Sequence, residues 1–285
     1  MQPCALIDIG INLAHDSYDR DRVEVIARAR AAGIVAMIVT GSTLADSARA
    51  LALCRQWPGI LRATAGVHPH HATGFQAADC ARLVELYADP MTVAAGECGL
   101  DYYRNYSPPA EQRRAFAWQL GLAAEHGMPL FLHQRQAHAD FMAMLREHPA
   151  LLARAVLHCF TGDAAELEDC LAAGLSIGVT GWICDERRGQ ALGDGVVRIP
   201  DERLMLETDG PYLLPRTLQP KPAHRRNEPM YLPVILEAVA ARRGQPPAQV
   251  AALTTANAQR FFGFTLSQSS PADDGASLND IIKIS

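Results

Sequence analysis

Apolar, strand-like runs alternate with helix-like segments along the whole chain, and this alternation restricts the fold more than any other feature. The runs fall near residues 4–9, 34–40, 61–67, 91–97, 129–133, 154–159, 175–180 and 203–208, each rich in Val, Ile, Leu or Ala and bounded by turn residues. Between them, segments 19–32, 43–56, 77–88, 108–127, 136–148 and 163–173 carry apolar residues at helical spacing. Gly33, Gly127 and Gly174 stand where a helix must stop before the next strand. Contiguous apolar runs mark strands buried on both faces, as in a parallel sheet covered by helices. Eight such units predict an α/β fold, a single (β/α)8 TIM-type barrel; that architecture takes about 250 residues, and the 285 present are enough for one. An open doubly wound sheet is the alternative, but no Gly-x-Gly-x-x-Gly follows the first run and no P-loop is present. The barrel is assigned to residues 1–264, and the polar, Ser- and Asp-rich residues 265–285 to a disordered tail.

Four of the runs deliver a metal-capable side chain as they end: Glu97, His133, His158 and Asp209. In a parallel barrel every strand opens at the same rim, so residues distant in sequence converge there. A lone His or acid at a strand end is ordinarily hydrogen-bonded structure. Four repeats of the pattern point to a shared divalent cation at the C-terminal ends of the strands. Mixed oxygen and nitrogen donors suit Zn, Mn or Fe, and Mg fits when carboxylates and substrate phosphate dominate. The matching chemistry is hydrolysis by metal-activated water, with Glu97 and Asp209 as the catalytic carboxylates. Asp209 orients the water or accepts its proton, unless it serves as a ligand only.

Further polar groups flank these four. His68 ends the third run in Gly-Val-His-Pro-His-His, Arg104 and Arg135 follow the fourth and fifth, and Arg225 and Arg226 lie in a Pro-rich basic stretch, 210–229, after the eighth. All five are candidate phosphate contacts, with loop salt bridges or a solvated surface as the plain alternative. His70 and His71 read as loop residues that can reach substrate. Tyr102 and Tyr103 either pack or stack on a nucleobase. Cys98 and Cys159 read as small buried thiols.

A balance of 26 basic against 31 acidic residues, net charge -5, argues against non-specific coating of long nucleic acid but leaves a small phosphate-bearing substrate open. Seven cysteines without Cys-x-x-Cys spacing, no secretory signal and no run long enough to cross a membrane suggest a cytoplasmic protein, expected as a monomer.

With those residues assembled, the chain resembles the TatD family of metal-dependent deoxyribonucleases over nearly residues 7–263. The stretches that carry the resemblance are Asp-Ile-Gly-Ile-Asn-Leu from Asp8, Gly-Val-His-Pro-His-His from Gly66, Gly-Glu-Cys-Gly-Leu-Asp-Tyr-Tyr-Arg-Asn from Gly96 and Leu-His-Cys-Phe-Thr-Gly from Leu157. Downstream lie Thr-Gly-Trp-Ile-Cys-Asp-Glu-Arg-Arg-Gly from Thr180, Glu-Thr-Asp-Gly-Pro-Tyr-Leu-Leu-Pro-Arg from Glu207 and Arg-Arg-Asn-Glu-Pro from Arg225. The resemblance implies a TIM-type barrel whose Glu97, His133, His158 and Asp209 hold one or two divalent ions. It also implies hydrolysis of DNA phosphodiesters, as a Mg-dependent exonuclease acting from the 3′ end on single strands; Mn and Zn are the alternative ions. Many relatives end the first strand with His-x-His, whereas this chain has Gly10 and Asn12, the form of one TatD branch. Asn12 then offers a weak amide oxygen to a loosely held second ion. Gly210 stands where relatives commonly have Ala or Ser.

Two other readings remain at this stage. The same machinery hydrolyses carbonyl esters and amides, including the aminoacyl ester of a charged tRNA. A non-catalytic binding barrel would use the metal only as a staple.

Overall fold

The strands follow one another round a barrel in chain order: β1 (Leu6–Ile11), β2 (Ile34–Val39), β3 (Leu61–Ala65), β4 (Thr92–Asp101), β5 (Leu130–Arg135), β6 (Ala155–Leu157), β7 (Ser176–Val179) and β8 (Leu204–Leu206). The structure is a computed structural model that describes residues 4–265; apart from Thr265, the expected tail lies outside the described residues. Every neighbouring pair is parallel. The ring closes where the residues after β8 run beside β1, with Asp209 N donating to Gly10 O at 2.8 Å and Asn12 N to Gly210 O at 2.8 Å. Helices α1 (Arg22–Ala31), α2 (Leu44–Gln56), α3 (Cys80–Tyr87), α4 (Pro109–Glu125), α5 (His138–Arg146), α6 (Pro149–Leu152), α7 (Ala164–Ala173), α8 (Gln190–Gly195), α9 (Leu232–Arg243) and α10 (Pro247–Phe262) fill the connections. None of them is long and apolar enough to cross a membrane.

Local chemistry accounts for the element boundaries. Thr43 and Asp163 cap α2 and α7 by accepting amide hydrogens of the first turn. Gly174 ends α7 at φ 102°, a left-handed conformation that a side chain would strain. The apolar residues divide into two layers. Most strand side chains pack outward against the helices. A second cluster, including Ile7, Ile9, Ile38, Val93, Phe131, Val156 and Met205, fills the barrel interior, and Phe262 of α10 packs against it. Each such side chain contributes roughly 1.5–3 kcal/mol by leaving water. The interior is therefore a packed floor, and chemistry is confined to the mouth above it.

The expectation that the metal-capable residues end their strands needs correction. β4 continues four residues past Glu97 to Asp101, β5 continues two past His133, and β8 stops three before Asp209; His158 alone lies immediately after its strand. β4 is long because it contains a bulge: its register against β5 slips between Ala95 and Cys98 and then resumes through Asp101 opposite Arg135. Gly96 makes this possible at φ 141°, where a Cβ would lie 2.1 Å from Phe131 O.

Candidate metal centre and active site

Below the mouth, Phe131 presents its ring 4.7 Å from that of His158. Above it, three imidazoles converge on one carboxylate oxygen. Glu97 Oε1 is 2.9 Å from His158 Nε2, 3.1 Å from His133 Nδ1 and 3.3 Å from His68 Nε2. Burial disfavours the charge on Glu97, yet His158 and His68, with hydrogen bonds from His133 and His158, hold its carboxyl well below the usual range. One ligand atom each from His68, Glu97 and His133 lies within 4.8 Å of the others, a grouping able to hold a metal ion. The donor chemistry, a buried carboxylate among imidazoles, fits a divalent cation.

The outer nitrogens differentiate the three imidazoles. His133 Nε2 meets Asp101 Oδ2 at 3.2 Å, and His158 Nδ1 meets Glu207 Oε2 at 3.2 Å. A carboxylate on the far nitrogen fixes the ring and raises its basicity, the usual support for a metal-binding imidazole. Burial opposes protonation of both rings, but these carboxylates and Glu97 raise both pKa values. At His68, Nδ1 instead accepts the amide hydrogen of His70 at 3.1 Å, which leaves Nε2 as the protonated nitrogen facing Glu97. Burial lowers the pKa of His68 to about 4, so it stays neutral.

Sequence reasoning missed two supporting carboxylates. Asp101 accepts from His133 and, at 2.9 Å, from His70. Glu207 accepts from His158 and from Cys159 N. It is fully buried, in a slot between β1 and β7 where a Cβ on Gly10 would lie 2.3 Å from Oε2 and one on Gly178 2.4 Å from Oε1. Two signals were available. Glu207 precedes Asp209 by two residues, a spacing that repeats the direction of a side chain in extended backbone. Gly96 and Gly99 within one apolar run mark a bulge and a longer strand.

Asp209 follows β8 at the same mouth, its carboxyl pushed up to about 7 by burial and then by the nearby Glu97 and Glu207 charges. Asn12 Nδ2 donates to Asp209 Oδ1 and to Gly210 O, both at 3.2 Å, so the expected weak ligand acts in this structure as a donor that positions Asp209. Directly beneath, Asp8 accepts from Thr208 N at 2.9 Å and from the Thr208 hydroxyl.

The arginines divide. The Arg135 guanidinium lies over the Tyr103 ring at 4.0 Å, with Arg104 at 5.9 Å from the same ring. Both are at the rim, consistent with phosphate contact. Arg225 is exposed on the last loop. Arg226 is committed elsewhere: it donates to both oxygens of Asp21 at 2.7 Å, to Glu228 at 2.7 Å and to Ser17 O, and lies over the Tyr18 ring. Its charge is already balanced, which counts against the phosphate role expected for it. His71 is exposed, Tyr102 donates to Asp140, and burial raises the Cys98 and Cys159 thiols, as expected of packed cysteines.

Residues 7–263 match the family model described as TatD related DNase. A curated relative from Erwinia amylovora named 3′-5′ ssDNA/RNA exonuclease TatD is 52% identical over 258 residues, covering 90% of this chain and all of the relative. A relative of the same name from Cronobacter sakazakii is 52% identical over 267 residues, covering 94% and 100%. Among solved structures, the TatD homolog YjjV from Escherichia coli K12 superposes with a TM-score of 0.84 at 26% identity, over 92% of this chain and 99% of that one. A TatD family hydrolase from Entamoeba histolytica gives 0.83 at 26% identity, over 93% and 100%. The barrel, the carboxylate and imidazoles at its mouth and these matches lead to one conclusion: the chain belongs to the TatD-related DNase family, a family of hydrolytic nucleases.

Proposed function

We propose that this nuclease removes nucleotides from the 3′ ends of single-stranded DNA, and of RNA, using divalent metal held by Glu97, His133, His158 and Asp209, with Mg as the working ion. The observation that carries this reading is the meeting of three imidazole nitrogens on Glu97 Oε1, with the outer nitrogens of His133 and His158 anchored on Asp101 and Glu207. The names of the half-identical relatives support the polarity and the single-stranded substrate.

When bound, a divalent cation supplies the Lewis-acid charge that polarises the phosphodiester and favours deprotonation of the attacking water. The chain's own groups do the rest. Asp209, steadied by Asn12, orients that water and takes its proton. His68, whose protonated Nε2 can donate, contacts a phosphate oxygen. Arg135 and Arg104 neutralise the strand at the rim. A second ion, if taken up, arrives with the substrate, since Gly10 offers no side chain and the Asn12 amide faces Asp209 through its NH2. The reading takes the enzyme as a monomer, and the seven free thiols support a reducing compartment, the cytoplasm.

A 5′-labelled oligonucleotide tests the reading. Shortening from the 3′ end should stop in EDTA and return with excess Mg. Unabated cutting under exhaustive chelation, or turnover of an aminoacyl ester but not of DNA, rejects it.

A further inference from the structure

Seven tyrosines occur in the chain, and their exposure divides by location. Tyr18, Tyr87, Tyr102 and Tyr231 are buried or half-buried. Tyr103, Tyr106 and Tyr212 are 52%, 67% and 53% exposed, and with Val197 they are the exposed large hydrophobic side chains of the described residues. All three follow β4 or β8 at the barrel mouth. In an eight-stranded ring, β4 and β8 are four strands apart in either direction, so these rings stand on opposite sides of the opening.

Each side is tied to the centre between them. The Tyr106 ring meets His70 edge-on at 4.7 Å, and His70 shares Asp101 with His133. Tyr103 carries Arg135 on its face. On the far side, Tyr212 N donates to Asp209 O at 3.0 Å, and its ring meets His15 edge-on at 6.0 Å. Rings more than half exposed beside a phosphate-cutting centre, with guanidinium groups alongside, match what an unpaired nucleobase requires: a flat apolar surface and a cation for the adjoining phosphate.

We propose, resting on the exonuclease reading, that Tyr106 and Tyr103 on one side and Tyr212 on the other form a stacking clamp. It grips the unpaired bases flanking the scissile bond and holds that phosphate over Glu97. Both bases must leave their stack to reach opposite sides, so a paired terminus is refused. Stacking is indifferent to base identity, so digestion proceeds through any sequence.

The test uses Tyr106→Ala and Tyr212→Ala, each paired with its Phe counterpart, on the full chain with melting temperatures recorded. One assay measures KM and kcat on single-stranded DNA; the other measures quenching of a 3′-terminal 2-aminopurine in EDTA, where nothing is cut. Each Ala variant should raise KM by on the order of tenfold to a hundredfold with little change in kcat, the Phe variants should stay near the parent, and the penalty should vanish on an oligonucleotide with abasic 3′-terminal sugars. Quenching should follow the same order. Unchanged KM in the Ala variants, equal loss in Ala and Phe variants, or DNA cutting without quenching overturns the clamp while leaving the nuclease intact. Quenching without cutting by the parent protein overturns the nuclease reading and leaves the clamp standing.

Discussion

Two clusters of charged side chains lie on this barrel, and they are built in opposite ways. Between α1 and the loop before α9, Arg28 and Arg226 meet Asp21 and Glu228 at 2.7–3.0 Å, two guanidinium groups against two carboxylates. The set is electrically complete. At the mouth, Glu97, Asp101 and Glu207 are buried around a neutral His68 and around His133 and His158, and the charge opposite them comes from the last two imidazoles, which lose it as pH rises. A complete cluster fastens elements together. A cluster whose balance is not fixed is suited to an exchangeable cation, at some cost in stability.

The contrast is broken most severely at Glu97. Glu97→Gln should lower turnover of single-stranded DNA by roughly 10³-fold or more, because several kcal/mol of charge stabilisation goes with the ion. In EDTA the variant should stay folded but melt somewhat below the parent, because the imidazoles stabilise the ionised carboxylate and their deprotonation only softens its loss. A melt that collapses in EDTA would place Glu97 among the structural pairs instead. Arg226→Ala should behave in the reverse sense. It deprives Asp21 and Glu228 of a shared partner, costing about 1–3 kcal/mol, a drop of about 2–4 °C per kcal/mol in a thermal melt of a chain this size. DNA affinity and its salt dependence should stay where they were.

Arg225→Ala sharpens the same division. It should leave the melt alone and flatten the log–log salt dependence of DNA binding by about one unit, the signature of one lost phosphate contact. An unchanged slope would reduce Arg225 to a solvated surface residue. The smallest effect is expected from acid. Hydrogen bonds from Arg226, then from Arg28, hold the Asp21 carboxyl at about 2 against an ordinary 3.8. This stabilisation is complete above 3.8 and fades as pH falls from there toward 2; because Asp21 is partly exposed, screening trims it to about 1 kcal/mol. Asp21→Asn should therefore flatten the acid limb of a stability–pH curve, and a limb of unchanged steepness would assign acid sensitivity to other carboxylates.

These clusters also show where the sequence was readable. The eight strands could be found because strands of a parallel barrel are apolar on both faces, so each stands out without knowledge of its neighbours. That Glu97, His133 and His158 would meet could be expected because barrel topology alone brings strand ends to one rim. Asp101 and Glu207 escaped because their role is defined by imidazoles 32 and 49 residues away; the local glycine and spacing signals hint at where they point but not at the side chain they support. Arg226 was misread for a related reason: Glu228 stands two residues on in the same basic stretch, but Asp21, which takes both of its terminal nitrogens, lies 205 residues earlier. Charge is visible in a sequence; the partner that cancels it is not.

The slot around Glu207 constrains change at this site. Because its carboxylate lies in the space that a side chain at position 10 or 178 would need, enlarging either glycine requires the end of the Glu207 side chain to swing away. A side chain acquired at position 10 would displace the carboxylate that anchors His158 Nδ1. Bulk on the first or seventh strand is thus felt at an imidazole that neither residue touches.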